Sequence, residues 1–456
     1  MRQARGRPHR RLQLTRENLA TRARDSFLRW AGLVSLDRQS KSPAKRLRHE
    51  GSILDTRTPV ILLGGRENTV AVTRNLGRLG IPIYVSGRSG CRAMRSRHCL
   101  SAFPVPPDLP AGEFWKDLLL ERLPHKLPGA VVIANCDESM AFVATHHGEL
   151  TQKYRLEEFR PDLRRAMLDK LETLKLARAA GVPTPQFWEI RKEADAEALR
   201  GEIRFPAMVK PLDTARFAEQ FGRKLFIVRR GVDEVVEKVG LCLAHGHSVM
   251  VVEMIPGPDD LLSSFNVYRM TNGRLLFGYT KSIVRRWPVN RGGACAHQWE
   301  WLPETAEMGR QLFEAVGWLG LGNVEFKRDK RDGKLKIIEV NGRFTAAHRL
   351  ATQAGLPIDL ALYCHLTGQD LPSVHSNDQP LRMWYPLLDL LAFLEMRRRG
   401  ELTLLEWLRW LRGQRLVLPY FSLHDPLPWL EDVAALLKRL FANPLELLRK
   451  ALTPQG

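Results

Sequence analysis

From Thr58 onward the chain is strongly patterned. Residues 59–65 (Pro-Val-Ile-Leu-Leu-Gly-Gly) form an apolar run stopped by two glycines, the signature of a strand buried on both faces. A helical stretch to about Leu79, a break at Gly80 and the apolar run 81–85 complete a βαβ unit of the doubly wound kind. Residues 130–134 and a helix from Asp137 to about His147 repeat the pattern. A helix is then expected over 161–180, stopped by Gly181 with Pro183 and Pro185 beyond it. Between 186 and 253 strands alternate with helices: strands at 186–190, 207–211, 224–228 and 249–253, helices at 193–200 and 232–244. Residues 263–341 are strand-rich around one helix at 303–318, and two helices follow at 345–354 and 357–366. Beyond about Asp370 the pattern becomes Leu, Trp and Arg at helical spacing. The stretch 402–410 is an amphipathic basic helix suited either to capping the main body or to lying on a membrane surface.

One polar feature interrupts this pattern. Residues 323–327 and 334–343 each alternate polar with apolar positions and flank an Asp332-Gly333 turn, which is a hairpin signal. A hairpin symmetric about Asp332 sets Glu325 opposite Glu339, with Asn341 two residues further along the same face. Like charges directly opposed are destabilising unless a cation lies between them, so the pattern reads as an oxygen-rich Mg²⁺ site. Two lysines add to it. Lys210 ends one buried-type strand and Lys224 opens the next, so both could reach a polyphosphate from one wall.

Composition narrows the classes. The 456 residues carry a formal charge of +20, but residues 1–50 hold fourteen Lys or Arg against four Asp or Glu, so half of the excess sits in that segment. Such a tail is expected to be disordered and to meet polyanions or anionic lipid; nucleic-acid binding is not the expected main role. No apolar run reaches the 18 or so residues that span a bilayer. The six cysteines are widely separated with no CxxC pair, which suits a reducing, cytoplasmic setting and offers no zinc site. Gly64-Gly65 falls short of a dinucleotide fingerprint and reads as a packing turn.

Taken together, several segments resemble the ATP-grasp superfamily, and within it carboxylate-amine ligases of the D-aspartate ligase and carbamoyl-phosphate synthase large-chain type. They are Leu168-Asp169-Lys170, residues 180–185 (Ala-Gly-Val-Pro-Thr-Pro), 205–211 (Phe-Pro-Ala-Met-Val-Lys-Pro), 252–257 (Val-Glu-Met-Ile-Pro-Gly), 323–326 and 338–344 (Ile-Glu-Val-Asn-Gly-Arg-Phe). The likeness runs from about Thr58 to Asp370. It implies an α/β and α+β architecture: a Rossmann-like pre-ATP-grasp domain over 58–160, a helical linker and N-terminal lobe over 161–255 and a C-terminal lobe with the metal site over 256–370. A basic extension, 1–57, precedes these and a helical region, 371–456, follows them.

The resemblance also implies roles. Lys170, Lys210 and Lys224 would bind ATP phosphates, and Glu253, Met254 and Ile255 would hold adenine, largely through backbone. Glu325, Glu339 and Asn341 match the triad that holds two Mg²⁺ ions, for which Mn²⁺ could substitute. Arg343, Lys281 and Arg286 would serve the transferring phosphoryl group and the substrate carboxylate, with Arg285 nearby. The activity implied is ATP-dependent joining of a small-molecule carboxylate to an amine through an acyl phosphate; a phosphotransferase and a catalytically silent ATP-binding scaffold are the alternatives. A homodimer is also in keeping with the superfamily. Two departures stand out. Residues 213–222, the expected mobile cover, lack the usual Gly/Ser run, and the hinge reads Asn341-Gly342-Arg343 where Asn-Pro-Arg is usual. In the first domain, Ser96-Arg97-His98 and the 136–139 turn are candidates for substrate contact, with helix capping the alternative for Asp137 and Ser139.

Overall fold

The computed structural model describes residues 54–372 and 380–442. The expectations for the basic tail fall on 1–53 and lie outside the described residues. Leu54 to Arg57 are described and dock on the chain's later half: Gln369 and the Tyr363 hydroxyl both donate to the Asp55 carbonyl, at 3.0 and 3.1 Å.

Three sheets organise the described residues. The first is parallel, formed by β1 (Val60–Leu63), β2 (Ile83–Gly87), β3 (Cys99–Pro104) and β4 (Val131–Ala134) in the order β3-β2-β1-β4. Because helices cover both of its faces, its central strand β1 and its neighbour β4 are apolar and buried throughout, whereas the edge strand β3 alternates half-buried with exposed positions. The second is antiparallel, with β5 (Phe187–Ile190), β6 (Ala207–Pro211), β7 (Phe226–Val228) and β8 (Val249–Glu253) in the order β5-β8-β6-β7. The third contains β9 (Leu262–Arg269), β10 (Leu275–Trp287), β11 (Gly293–Trp299), β12 (Gly320–Arg328), β13 (Leu335–Asn341), β14 (Leu381–Trp384) and β15 (Arg415–Val417). Its order is β13-β12-β9-β10-β11-β14-β15.

On β12 the alternation decides which face does what. Val324 and Phe326 are fully buried in a core with Phe265, Phe313, Trp318 and the helices Pro161–Leu168 and Lys170–Ala179. Asn323, Glu325 and Lys327 therefore project from the opposite face. A one-residue slip of this strand would exchange the two sets.

Several local expectations change. The helix expected over 161–180 is two helices meeting at Asp169, whose backbone is extended and whose carboxylate accepts from the amides of Leu171 (2.7 Å) and Glu172 (3.2 Å). An N-cap inside an apolar helical pattern restarts the helix, here with Lys170 as its first residue. The segment expected to be a mobile cover is a helix, Thr214–Phe221. It is pinned by Phe217, which is fully buried and packs on Phe221, Phe226 and His247. The chain beyond Asp370 forms the helices Pro386–Arg398, Leu404–Leu411 and Leu427–Ala442 and also adds two short strands to the edge of the large sheet. Ser96 and Arg97 are committed to this region, since Ser96 Oγ and the Arg97 amide donate to Asp425 at 2.8 and 2.9 Å.

Candidate active site

The polar face of the large sheet carries an ordered row. Lys281 on β10 lies opposite Ser264 on β9, Ser264 opposite Glu325 on β12, and Glu325 opposite Glu339 on β13. Cross-strand partners share a face, so a cation and two carboxylates line up across four strands. The register deviates from simple symmetry: below Glu325 the pairing shifts, Phe326 meeting Ile337, and a bulge at Ile338 restores Glu325 to Glu339.

One rung further along, Asn266 faces Asn323, which faces Asn341. Asn323 Nδ2 donates to Asn266 Oδ1 at 3.0 Å, and Asn341 Nδ2 donates to Asn323 Oδ1 and to Glu339 Oε1, both at 3.2 Å. This ladder orients Asn341 so that its amide hydrogens are used internally and its Oδ1 is left for a cation.

Electrostatically the row is incomplete. Burial raises the Glu325 pKa and the neighbouring Glu339 raises it further, with Lys281 only partly offsetting this. Burial depresses Lys281, which is 1% exposed, against the pull of both glutamates. A divalent ion between the opposed carboxylates would offset their repulsion, so the donor set suits a hard cation. Among the described residues no cluster of three or more His, Cys, Asp or Glu is arranged to hold a metal. Two carboxylates plus Asn341 are a partial shell, of the kind that Mg²⁺ completes with phosphate oxygens and water.

Lys210, half-buried on β6, stands within electrostatic reach of Glu339 and Lys170. Burial, reinforced by Lys170, lowers its pKa to about 8 despite Glu339. The two lysines and the glutamate row thus face one another across the gap between the small and large sheets, where Lys170, Glu339 and Asn341 line a common cleft with Asp137. Lys224 differs from expectation. The strand begins only at Phe226, and Lys224 is an exposed residue of the preceding turn, beside the Lys210 end of β6.

Glu253 ends β8, and the chain crosses to the large sheet through Met254 and Ile255. The Met254 amide donates to the Pro206 carbonyl at 3.0 Å, and the buried Glu253 carboxylate meets Arg331 of the hairpin turn at 3.4 Å. Arg343 is held by Asp137 at 2.7 Å, joining the first domain to the acidic row. Burial opposes its charge, but Asp137 and Glu339 outweigh burial and raise its pKa. Asp137 is therefore an arginine partner, while Ser139 Oγ caps by accepting from the Cys136 amide at 3.1 Å. Arg286 stands apart from the row, its guanidinium bound by Asp259 at 2.8 Å, and acts on Glu325 only at longer range. Arg285 is sequestered by Asp389 at 2.5 Å.

Ser264 and Asn266 escape sequence reading, Asn323 enters it only as part of a segment, and two further residues on this face are given no role there. Lys327 is buried, donates to the Gly257 carbonyl at 2.6 Å and has its pKa lowered to about 8, chiefly by burial. His297, opposite Ile283 on β11, is buried with neither ring nitrogen hydrogen-bonded, and burial then Lys281 hold it neutral. Only the strand alternation of 293–299 could have drawn attention to it. Arg164 explains Gly342: stacked between Phe159 and Trp318, it donates to the Gly342 carbonyl, and a Cβ at that position would lie 2.5 Å from its guanidinium.

The small antiparallel sheet and the acidic row of the large sheet thus form two lobes on either side of one cleft. No family model matches the chain. The chain is 25% identical over 182 residues to a D-alanine–D-alanine ligase of Pseudomonas fluorescens (strain Pf0-1), covering 38% of this chain and 53% of that protein. It is 22% identical over 248 residues to a D-aspartate ligase of Enterococcus faecium (strain Aus0004), covering 52% and 59% respectively. The chain thus spans a little over half the length of these curated relatives. The biotin carboxylase domain of Hydrogenobacter thermophilus 2-oxoglutarate carboxylase, solved with MgADP, ADP and bicarbonate, matches with a TM-score of 0.55. It has 18% identity and covers 72% of this chain and 74% of that one. The chain has the ATP-grasp fold.

Proposed function

We propose that the protein is an ATP-dependent ligase that activates a carboxylate as an acyl phosphate and joins it to an amine. The observation that carries this reading is the row Lys281–Ser264–Glu325–Glu339 on one sheet face, opposite Lys210 and Lys170. Cations and carboxylates gathered around one cleft, Lys281 buried and Lys210, Glu325 and Glu339 half-buried, suit a ligand that brings its own phosphates and cations.

In this reading Lys170 and Lys210 bind the ATP phosphates, Lys224 assists at the rim, and the strand end at Glu253, Met254 and Ile255 carries adenine. Glu325, Glu339 and Asn341 would hold Mg²⁺, two ions or Mn²⁺ in its place, which supplies charge neutralisation at the β- and γ-phosphates. A substrate carboxylate oxygen attacks the γ-phosphorus and ADP leaves, with Lys281 and Arg343 stabilising the charge that gathers there. The amine nitrogen then attacks the acyl carbon, phosphate departs and the nitrogen loses its proton. Arg286, bound to Asp259, contributes only at a distance. Because an acyl phosphate hydrolyses readily, the site must exclude water.

The test is release of ADP and phosphate from Mg²⁺-ATP by purified protein, challenged with pooled amino acids and other carboxylates. Turnover that requires both a carboxylate and an amine establishes the ligase. Phosphate transfer to one substrate with no coupled product would instead make it a phosphotransferase, and ATP binding with no release under any pool would make it a scaffold.

A further inference from the structure

The helix Leu404–Leu411 is amphipathic in an unusual sense: none of its residues is buried, and its indoles rather than its leucines face the protein. Trp407 stacks on Phe393 with ring centres 4.8 Å apart and donates to Asp389 at 2.8 Å. Trp410 lies under the guanidinium groups of Arg285 and Arg382, at 4.2 and 4.7 Å. At about 100° per residue this anchoring turns Leu404, Leu405 and Leu408 outward, and they are 45%, 57% and 39% exposed. The helix start is fixed by a reciprocal Thr403–Glu406 capping box, so this presentation is built into the fold.

Exposed arginines accompany the leucines. Arg409 follows Leu405 by four residues and Arg412 follows Leu408 by four, so each cation adjoins a leucine on the outward side. Residues 395–415 contain six arginines and three glutamates. Of these glutamates, Glu395 is paired with Arg399 and Glu406 is consumed in the cap. We propose that this face docks on an anionic lipid surface, the leucines entering the acyl boundary and the arginines meeting lipid phosphates. A second copy of this chain fits less well, because a two-fold contact through the helix would bring Arg409 and Arg412 towards their own counterparts. The inference is independent of the ligase reading, since no residue in it belongs to the ATP-facing row.

The experiment is vesicle flotation with the full chain. Phosphatidylcholine vesicles are compared with phosphatidylcholine mixed with phosphatidylglycerol, for the wild type, Leu404→Gln/Leu405→Gln/Leu408→Gln, and Arg409→Gln/Arg412→Gln. Glutamine retains helix propensity and none of the replaced side chains is core, so far-UV dichroism and melting should be unchanged. Expected are binding to the anionic vesicles only, a loss of about tenfold or more in the leucine variant, and about fivefold per arginine removed. Three results would overturn the proposal: no binding by the wild type, anionic binding unaffected by the leucine changes and hence owed to another basic segment, or a wild-type dimer that the leucine variant dissociates.

Discussion

The large sheet buries two sets of charges that have opposite fates. Between the far end of β10 and the helix after β14, Arg285 and Asp389 are 4% and 0% exposed and fully engaged: Arg285 Nε and Nη2 donate to the two Asp389 oxygens at 2.5 and 3.2 Å. Trp384 and Trp407 add indole donors at 3.0 and 2.8 Å. Along the β10–β13 row, Lys281 is buried and Glu325 and Glu339 are half-buried without closing on one another, the two carboxylates standing directly opposite. Both arrangements cost desolvation. The first recovers it within the fold, and the second leaves it to be recovered by a ligand. Saturated buried charge marks architecture, whereas unsaturated buried charge marks a site.

The sharpest way to break this contrast is to neutralise one member of each set. Glu339→Gln should lower ATP-dependent turnover by about three orders of magnitude or more, since the residue would hold the cation on which phosphoryl transfer depends. It should also raise the melting temperature of the metal-free protein, because it removes one of two opposed carboxylates. Scanning calorimetry alongside steady-state ADP release checks both signs; a drop in stability would make Glu339 a structural residue. Asp389→Ala should do the reverse. It strands a buried guanidinium and two indole N–H groups, for a loss of about 3–5 kcal/mol in denaturant unfolding, while ATP affinity in the folded fraction stays unchanged. Replacing both partners, Arg285→Met with Asp389→Leu, should recover most of that loss. A loss below about 1 kcal/mol for Asp389→Ala would erase the distinction between the two sets.

The halves of the active site were unequally legible in the sequence. Glu325 and Glu339 sit on one hairpin, so their opposition follows from local alternation about Asp332-Gly333, even though a bulge at Ile338 is what maintains it. Ser264 and Asn266 pair with the same strand from some sixty residues earlier, and no local period announces a non-local register. Lys281 enters only through the family resemblance, grouped with Arg286, and lies mid-strand on β10; what separates the two is that Asp259 binds Arg286 while burial encloses Lys281. Asp169 reads as part of a helix until its carboxylate is seen to cap the next one. β14 and β15, at four and three residues, are too short for their alternation to stand out among Leu and Trp at helical spacing. Gly342 stands out in the sequence only as a departure from Asn-Pro-Arg. In the fold a Cβ there would lie 2.5 Å from the Arg164 guanidinium, a contact that no local pattern announces.

Lys210 tests the contrast at finer scale, because its unsatisfied charge should carry opposite signs in stability and in binding. Burial first, and then Lys170, depress its pKa to about 8, against about 10.4 in an unfolded chain. Below pH 8 both states hold the proton and the folded protein bears the full penalty of a buried cation. Between about 8 and 10.4 the unfolded state binds more protons, so this residue's contribution to stability rises with pH. Lys210→Met should therefore melt higher than the wild type at pH 7, with the gap shrinking as pH climbs through that window. ATP affinity should move the other way: the wild type weakens as Lys210 discharges above pH 8, whereas the methionine variant binds about tenfold or more weakly at pH 7 and shows no such inflection. Titration calorimetry with ATP across pH 7–9.5, paired with melting curves of the nucleotide-free protein, reads both slopes. If the two slopes share a sign, Lys210 is held by the fold in the way Arg285 is and is not waiting for a phosphate.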